Sequence, residues 1–449
     1  MDIRAAVVPT NLAPRLILVA CAVAASPAPA HADAIGVSNL LTDPAQLARR
    51  LRDTDPVVAS AQQRVIAASA LRRQARVYPN PELSAALGGI VVGRGNTFNG
   101  SVGPTSLRDT GNVSLGISEL LELGKRAPRG AAADARSREV QEQAIAALGA
   151  RLADATEALG KLAYLTARRD VVAANLEAAR KLLALEKVRL EHQDLAPVEL
   201  ERIALDTSAL ELQLKRADAE VASALSECNV LLQGSCSTEG LDQKALDTAA
   251  TLPSNLPEPT QAILNRPLRN ASRMEANALE WDARLAEHRK IPDPTIGLSY
   301  TYDTYQYGGS VPKTFLLSVG IPLPFFDRGN HDAAAARANA KAVAAEDQAA
   351  VREATGTVGA LFARRDALGQ TLAQLEQQSI PSSTRIIEQT RKAFDLGQSG
   401  LADLLLVERA HRDLLLDVLD TRFELFEVRA QLREELGLDD DVARSVETP

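Results

Sequence analysis

Few residues in this 449-residue chain have the types and spacing that chemistry requires. His192, His288, His331 and His411 are scattered and lack the close pairing from which a metal site is built. Gly93, Arg94 and Gly95 form a glycine-rich fragment without the strand-to-helix setting that cradles phosphate. No nucleophile stands beside a base, so the expectation is a protein that is not an enzyme, with no cofactor and no metal site. Two features remain. Glu199 and Asp403 are acids at matching places near the starts of two apolar-periodic segments. Cys228 and Cys236 are free to pair in an oxidising compartment, although Cys228 also falls on an apolar heptad position where a small buried residue needs no partner.

The elements that must position these residues are long helices. Aromatic residues make up only 3% and Trp281 is the sole tryptophan, whereas Ala, Leu, Glu and Arg recur at helical spacing. The net charge of -8 comes with acids and bases interleaved, which excludes a nucleic-acid partner. Arg4 and Arg15 precede the apolar run from Leu16 to Ala25, and Ala30-His31-Ala32 supplies a small-x-small site, so residues 1–32 read as a signal peptide cleaved before Asp33. Leu18 to Cys21 also resembles a lipoprotein cleavage box, but the apolar run before Cys21 is short of the usual ~7 to 15 residues, and a lipid anchor at Cys21 is the lesser reading. Beyond Ala34 nothing approaches the ~18 apolar residues of a spanning helix. Any membrane crossing must then be made by strands.

One duplication organises the chain. Val113 to Ile117 (VSLGI) matches Leu317 to Ile321 (LSVGI) at an offset of 204. The same offset relates the seam Leu404, Val407, His411, Leu414, Val418, Thr421, Leu425, Val428, Leu432 to Leu200, Ile203, Thr207, Leu210, Leu214, Ala217, Val221, Ala224, Cys228. A period of 3.5 means left-handed coiled-coil packing. The Pro-x-Pro motifs at Pro79 and Pro292 lie 213 apart, the extra residues falling in a Gly/Asn/Ser loop after Val91. The expected organisation is a first repeat over 33–251, a linker at 252–259, a second repeat over 260–437 and a C-terminal tail at 438–449. Each repeat has a helix (Pro44 to Val77; Glu258 to Lys290), a β-hairpin (82–120; 295–321) and a long helical hairpin (126–233; 330–436). Pro381 is expected to break or kink its helix.

Alternation gives the strands two unlike faces. Ile296, Leu298, Tyr300 and Tyr302 oppose Gly297, Ser299, Thr301 and Asp303, and Val113, Leu115 and Ile117 oppose Ser114, Gly116 and Ser118. An apolar face backed by a small, polar one suits lipid outside and water inside. Four strands cannot close a barrel, and an open edge in hydrocarbon strands peptide groups at several kcal/mol each. Three chains would supply twelve strands and a water-filled lumen, so the fold class expected is mainly α with a small β part, each chain forming one third of a trimeric barrel. A helix from Arg126 to Glu191 is on the order of 100 Å long, the reach of a conduit rather than of a compact domain.

At this point the chain resembles the TolC family of outer membrane efflux proteins, and nearest within it the CzcC-like heavy-metal branch. The residues are YPNPELS from Tyr78, SELLELGKRAPRGAAA from Ser118, KIPDPTIGLSYTYD from Lys290 and, most specific, SVGIPLPFFDRGNHDAAAA from Ser318. Pro128, just inside a helix start, departs from the pattern but is tolerated in a first turn. The resemblance implies a homotrimeric channel-tunnel in outer membrane lipid, docking a periplasmic membrane-fusion adaptor and an inner-membrane resistance-nodulation-division pump, and passing metal cations such as Co, Zn, Cd, Cu or Ag. It implies adaptor-docking tips at Gln193, Asp194 and Leu195 and at Gly397, Gln398, Ser399, Gly400 and Leu401, and a periplasmic gate of acidic rings at Asp403 and Glu199. Export of organic compounds by the same channel type, or a periplasmic coiled-coil interaction protein, are the alternatives.

Overall fold

The computed structural model describes residues 35–88, 111–193, 196–241, 243–303 and 313–447, and these are mostly helical. The expected signal peptide, Cys21, the loop after Gly88, Asp194 and Leu195 lie outside the described residues. In chain order the elements are β1 (Ile35–Gly36), α1 (Val37–Thr42), α2 (Pro44–Thr54), α3 (Pro56–Gln74), β2 (Glu82–Gly88), β3 (Asn112–Leu120), α4 (Arg126–Glu191), α5 (Pro197–Leu231), β4 (Cys236–Ser237) and α6 (Gln243–Thr248). They continue as α7 (Pro259–Leu264), α8 (Pro267–Glu287), β5 (Thr295–Asp303), β6 (Lys313–Gly320), α9 (Asn330–Gln374), α10 (Ile380–Asp395), α11 (Leu401–Glu435) and α12 (Leu438–Glu447).

Prolines divide the shorter helices more finely than periodicity foretold. The single helix expected from Pro44 to Val77 is instead α2 and α3. Asp55 accepts the N–H groups of Val57 and Val58, and Pro56 follows it at the first helical position, so the chain restarts a helix there. Pro267 likewise separates α7 from α8, where one helix from Glu258 to Lys290 was expected. At Pro381 the outcome is the opposite. A π-helical turn, Leu375–Ser379, lets the Ile380 N–H reach the Leu375 carbonyl, and the proline falls in the first turn of α10, where its missing donor costs little. The winding therefore runs on from Asn330 to Asp395, matching α4 displaced by 204 residues.

The main core lies along α4. Leu148, Leu152, Leu159 and Leu162 are fully buried against Leu47, Leu51, Leu232 and Phe426. Gly160 is required here, because a Cβ on it would stand 2.1 Å from the Phe426 ring. The residues expected as a tail after 437 form α12, whose Ala443 is fully buried in the same cluster. Parallel pairing of β1 with β4, Ile35 opposite Cys236, also escaped sequence reading, since two-residue strands have no periodicity.

The larger sheet is antiparallel in the order β2-β3-β5-β6. Its register aligns apolar rows across all four strands: Leu83, Ile117, Leu298 and Leu317 in one, Ala85, Leu115, Tyr300 and Phe315 in the next. The opposite face carries Ser84, Gly116, Ser299 and Leu316 in one row, and Leu316 and, at the end of β3, Leu120 are its large apolar exceptions.

Candidate functional site

Two regions combine function-bearing residue types with an unusual environment: the turns of the two long helical hairpins, and the sheet. The turns lie side by side. Ile203, Leu401 and Leu405 are buried together, with Leu182, Leu183 and Phe394 packed on them, so α4, α5, α10 and α11 share one small apolar cluster at the tips.

Backbone geometry at the second tip is a complete helix stop. Gly397 holds φ +69°, its N–H donates to the Phe394 carbonyl at 2.9 Å, and the Gln398 N–H donates to the Ala393 carbonyl at 2.8 Å. These are the two bonds by which a left-handed residue satisfies the last carbonyls of a helix. At the same place in the first tip Gln193 adopts φ +63° and donates to the Leu190 carbonyl at 3.0 Å. A side-chain-bearing residue there costs about 1–2 kcal/mol that glycine avoids.

The two acids expected at the gate have different surroundings. Asp403 is exposed in the first turn of α11, its N–H donates to the Gly400 carbonyl at 3.2 Å, and it accepts the Ser399 hydroxyl at 3.3 Å. Glu199 is half-buried in the first turn of α5 and adds its charge to the field around Glu186. Glu186, which sequence reading missed, is the most constrained of the group. Its side chain is fully buried, one carboxylate oxygen accepts Arg189 at 3.2 Å, and the other has no partner. Burial raises its pKa, Arg189 opposes the rise, and Asp395 and Glu199 add to it. Arg189 also spans the hairpins, 3.7 Å from Asp395 and 5.2 Å over the Phe394 ring. The only sequence signal for Glu186 was its place on a buried helical stripe.

Farther from the tips, Asp206 on α5 is buried and accepts both Arg409, at 2.8 Å, and Arg412, at 3.2 Å, from α11. His411, between them in sequence, turns toward α10 and bonds Ser383 at 2.9 Å, and burial lowers its pKa. At the other end of α5, Cys228 and Cys236 form a disulfide with Cα atoms 6.2 Å apart. Asn229 accepts the Cys236 N–H at 2.7 Å, so β4 is fixed where β1 pairs with it.

The sheet presents the opposite of a soluble core. Leu83 is 72% exposed, Phe315 76% and Leu317 70%, all on the apolar face. The small face is crowded instead: a Cβ on Gly297 would lie 2.7 Å from the Ser318 hydroxyl, and one on Gly116 3.0 Å from that of Ser84. Across the strands the small side chains fill one another's space, while the large apolar ones are spread into the open. Where strands hand over to helices, Asp293 accepts the Leu123 N–H at 2.9 Å and pairs with Lys125 at 2.6 Å, while Arg129 pairs with Glu122 and donates to the Ala75 carbonyl at 2.8 Å. Among the described residues no helix is long and apolar enough to cross a membrane, and no three metal-ligating side chains are grouped to hold an ion.

Comparison with known proteins agrees with this layout. Residues 259–438 match the family model of the outer membrane efflux protein. No curated protein matches the chain by sequence. Among solved structures, the chain is similar to CusC, a protein studied for transmembrane channel formation, with a TM-score of 0.73 at 17% identity over 90% of this chain and 93% of that one. It is similar to the outer membrane protein VceC of Vibrio cholerae, with a TM-score of 0.69 at 17% identity over 89% and 96% of the two chains. The open state of the Neisseria gonorrhoeae MtrE outer membrane channel gives a TM-score of 0.69 at 16% identity over 88% and 89%. Residues 259–438 thus carry the pattern of the outer membrane efflux protein family, in a chain whose fold is that of the outer membrane channels.

Proposed function

We propose that this protein is the outer membrane channel of a tripartite efflux system, a passive homotrimeric conduit with no chemistry of its own. The observation that carries the reading is one chain in which an open four-stranded sheet, apolar on its spread face, continues into helical hairpins whose longer arm, α4, is about 100 Å. Lipid around the apolar face and closure of the free edges by further copies would satisfy both features. The turns at Gln193 to Leu195 and Gly397 to Leu401 would dock a periplasmic membrane-fusion adaptor, and through it or directly an inner-membrane resistance-nodulation-division pump. Repeated three times, Glu199 and Asp403 become acidic rings at the narrow end, which favour cations electrostatically. The cargo proposed is a heavy-metal cation, on the strength of the CzcC-like residues from Ser318 to Ala336 and the rings.

Detergent extraction of outer membranes followed by mass measurement should give three copies per particle, whereas release as a soluble monomer overturns the channel. A host lacking the protein should lose tolerance to Zn, Co, Cd, Cu or Ag salts. Unchanged metal tolerance with new sensitivity to organic compounds keeps the channel and replaces its cargo.

A further inference from the structure

Between α3, α4 and α8, just past the handover from strands to helices, the chain leaves a cavity of about 560 Å3. That volume suits a small organic molecule. Leu71, Val140 and Leu279 are the large apolar side chains of its lining, one from each helix.

Four charged side chains share the lining: Arg129, Arg136, Glu139 and Glu275. Both cations are already committed, Arg129 to Glu122 and the Ala75 carbonyl, Arg136 to Asp282. The acids are not. Among the described residues neither Glu139 nor Glu275 forms an ion pair, and Glu139 accepts the Gln143 amide at 3.0 Å. Burial raises the pKa of Glu139, Glu275 adds to the rise, and Gln143 and Arg136 oppose it. The two carboxylates therefore repel one another, and the cavity carries negative charge that no side chain balances.

Ser137 is an independent sign. It is 2% exposed and its hydroxyl has no hydrogen-bond partner. On the same helix Thr156 and Thr166 turn their hydroxyls back to the carbonyl four residues earlier, each at 2.8 Å. Ser137 makes no such bond and lines the cavity instead. A buried hydroxyl left unpaired is costly, and a bound polar group would satisfy it.

We propose that this cavity binds a lipophilic organic ammonium ion, its apolar body against Leu71, Val140 and Leu279, its cationic nitrogen beside Glu139 and Glu275, and a hydrogen-bonding group on Ser137. A metal ion fits less well: two carboxylates and a hydroxyl leave much of its coordination sphere unfilled, and the apolar lining gives it nothing. The site lies within one chain, so it stands whether or not further copies join, and it holds its ligand in the helical wall whatever the conduit passes.

The test is equilibrium dialysis of the full chain, purified in non-ionic detergent, with matched micelles on both sides so that partition into detergent cancels. Propranolol is the probe, because it joins a naphthyl body to an ammonium and a hydroxyl and is read by its own fluorescence. Naphthyloxyacetate, the same aryl ether with a carboxylate in place of the ammonium, is the control. Saturable binding of one propranolol per chain is expected, at least about ten-fold tighter than that of the control. Glu139→Gln with Glu275→Gln should weaken it by about ten-fold or more, and because this change relieves repulsion the variant should unfold no lower than the parent. Ala68→Phe and Ala133→Phe, from two different helices, fill the cavity without touching either acid and should each abolish binding. Absence of saturable binding overturns the site. Equal binding of the control, or no loss in the double Gln variant, reduces the cavity to apolar adsorption and overturns the ammonium reading. Binding that survives both filling variants puts the ligand elsewhere and overturns the location.

Discussion

Single residues show where backbone geometry leaves no choice. Gly329 holds φ +74° at the start of α9, and a Cβ there would lie 1.9 Å from the Ala286 carbonyl oxygen. Gly397 holds a similar φ, but a Cβ on it would meet nothing within 4 Å. Gly397→Ala is therefore expected to cost only the left-handed penalty, about 1–2 kcal/mol, and Gly329→Ala clearly more, as read from thermal unfolding of the two variants in detergent. Equal losses would show that the Ala286 contact relaxes. Asp440 gives a pH signature. Burial pushes its carboxyl up to about 7 against the opposing Arg266, with Asp439 and Asp441 adding to the rise. The folded chain then holds a proton that the unfolded chain releases near pH 4, so the stability this group contributes is whole below about pH 4 and is lost as pH rises through about 7. Asp440→Asn should leave stability at pH 4 unchanged and raise it at pH 8 relative to the parent, measured as the difference in thermal midpoints. Of these positions only the glycine at the second tip was legible from sequence, because a helix stop has a local signature and a carboxylate's burial does not.

Elements that sequence reading passed over are those held by tertiary contact. α12 docks through Arg433, which donates to Asp439 at 2.8 Å in a pair buried on both sides. Arg433→Ala leaves that carboxylate buried without its cation and should cost about 3–5 kcal/mol, seen as a lowered unfolding midpoint and proteolytic release of the residues after Gly437. A midpoint within error of the parent would mean α12 docks through its apolar side alone. The disulfide acts at the other terminus. It closes a short loop that fixes β4, on which β1 depends, and removing it by Cys228→Ser with Cys236→Ser should cost roughly 2–3 kcal/mol. Protease cleavage near Ile35 should rise in parallel, and no change there would show β1 to be held by α1 instead.

For the whole molecule the decisive property is that the sheet spreads its large apolar side chains. On the proposed reading, Leu317→Arg puts a charge on the lipid side at about 2–4 kcal/mol and should lower the amount of protein recovered in outer membranes. Ser299→Arg, on the small face, should leave recovery nearer the parent, because that side chain would point into water. Similar losses for both would mean that neither face meets lipid. The two long hairpins touch at their tips through Arg189, Asp395 and the Ile203 cluster and again through Asp206.

What the residues determined by themselves were features with a local or periodic cause. Alternation set the two faces of each strand, the 3.5 period set the long helices, and a repeated spacing set their order. Tertiary structure decided which acids became buried, that α12 and β1 close the core, and that Pro381 is absorbed in a π turn rather than ending its helix. The reason is physical: burial, pairing of two-residue strands and re-routing of a helix hydrogen bond depend on neighbours remote in the chain, which no window of sequence contains.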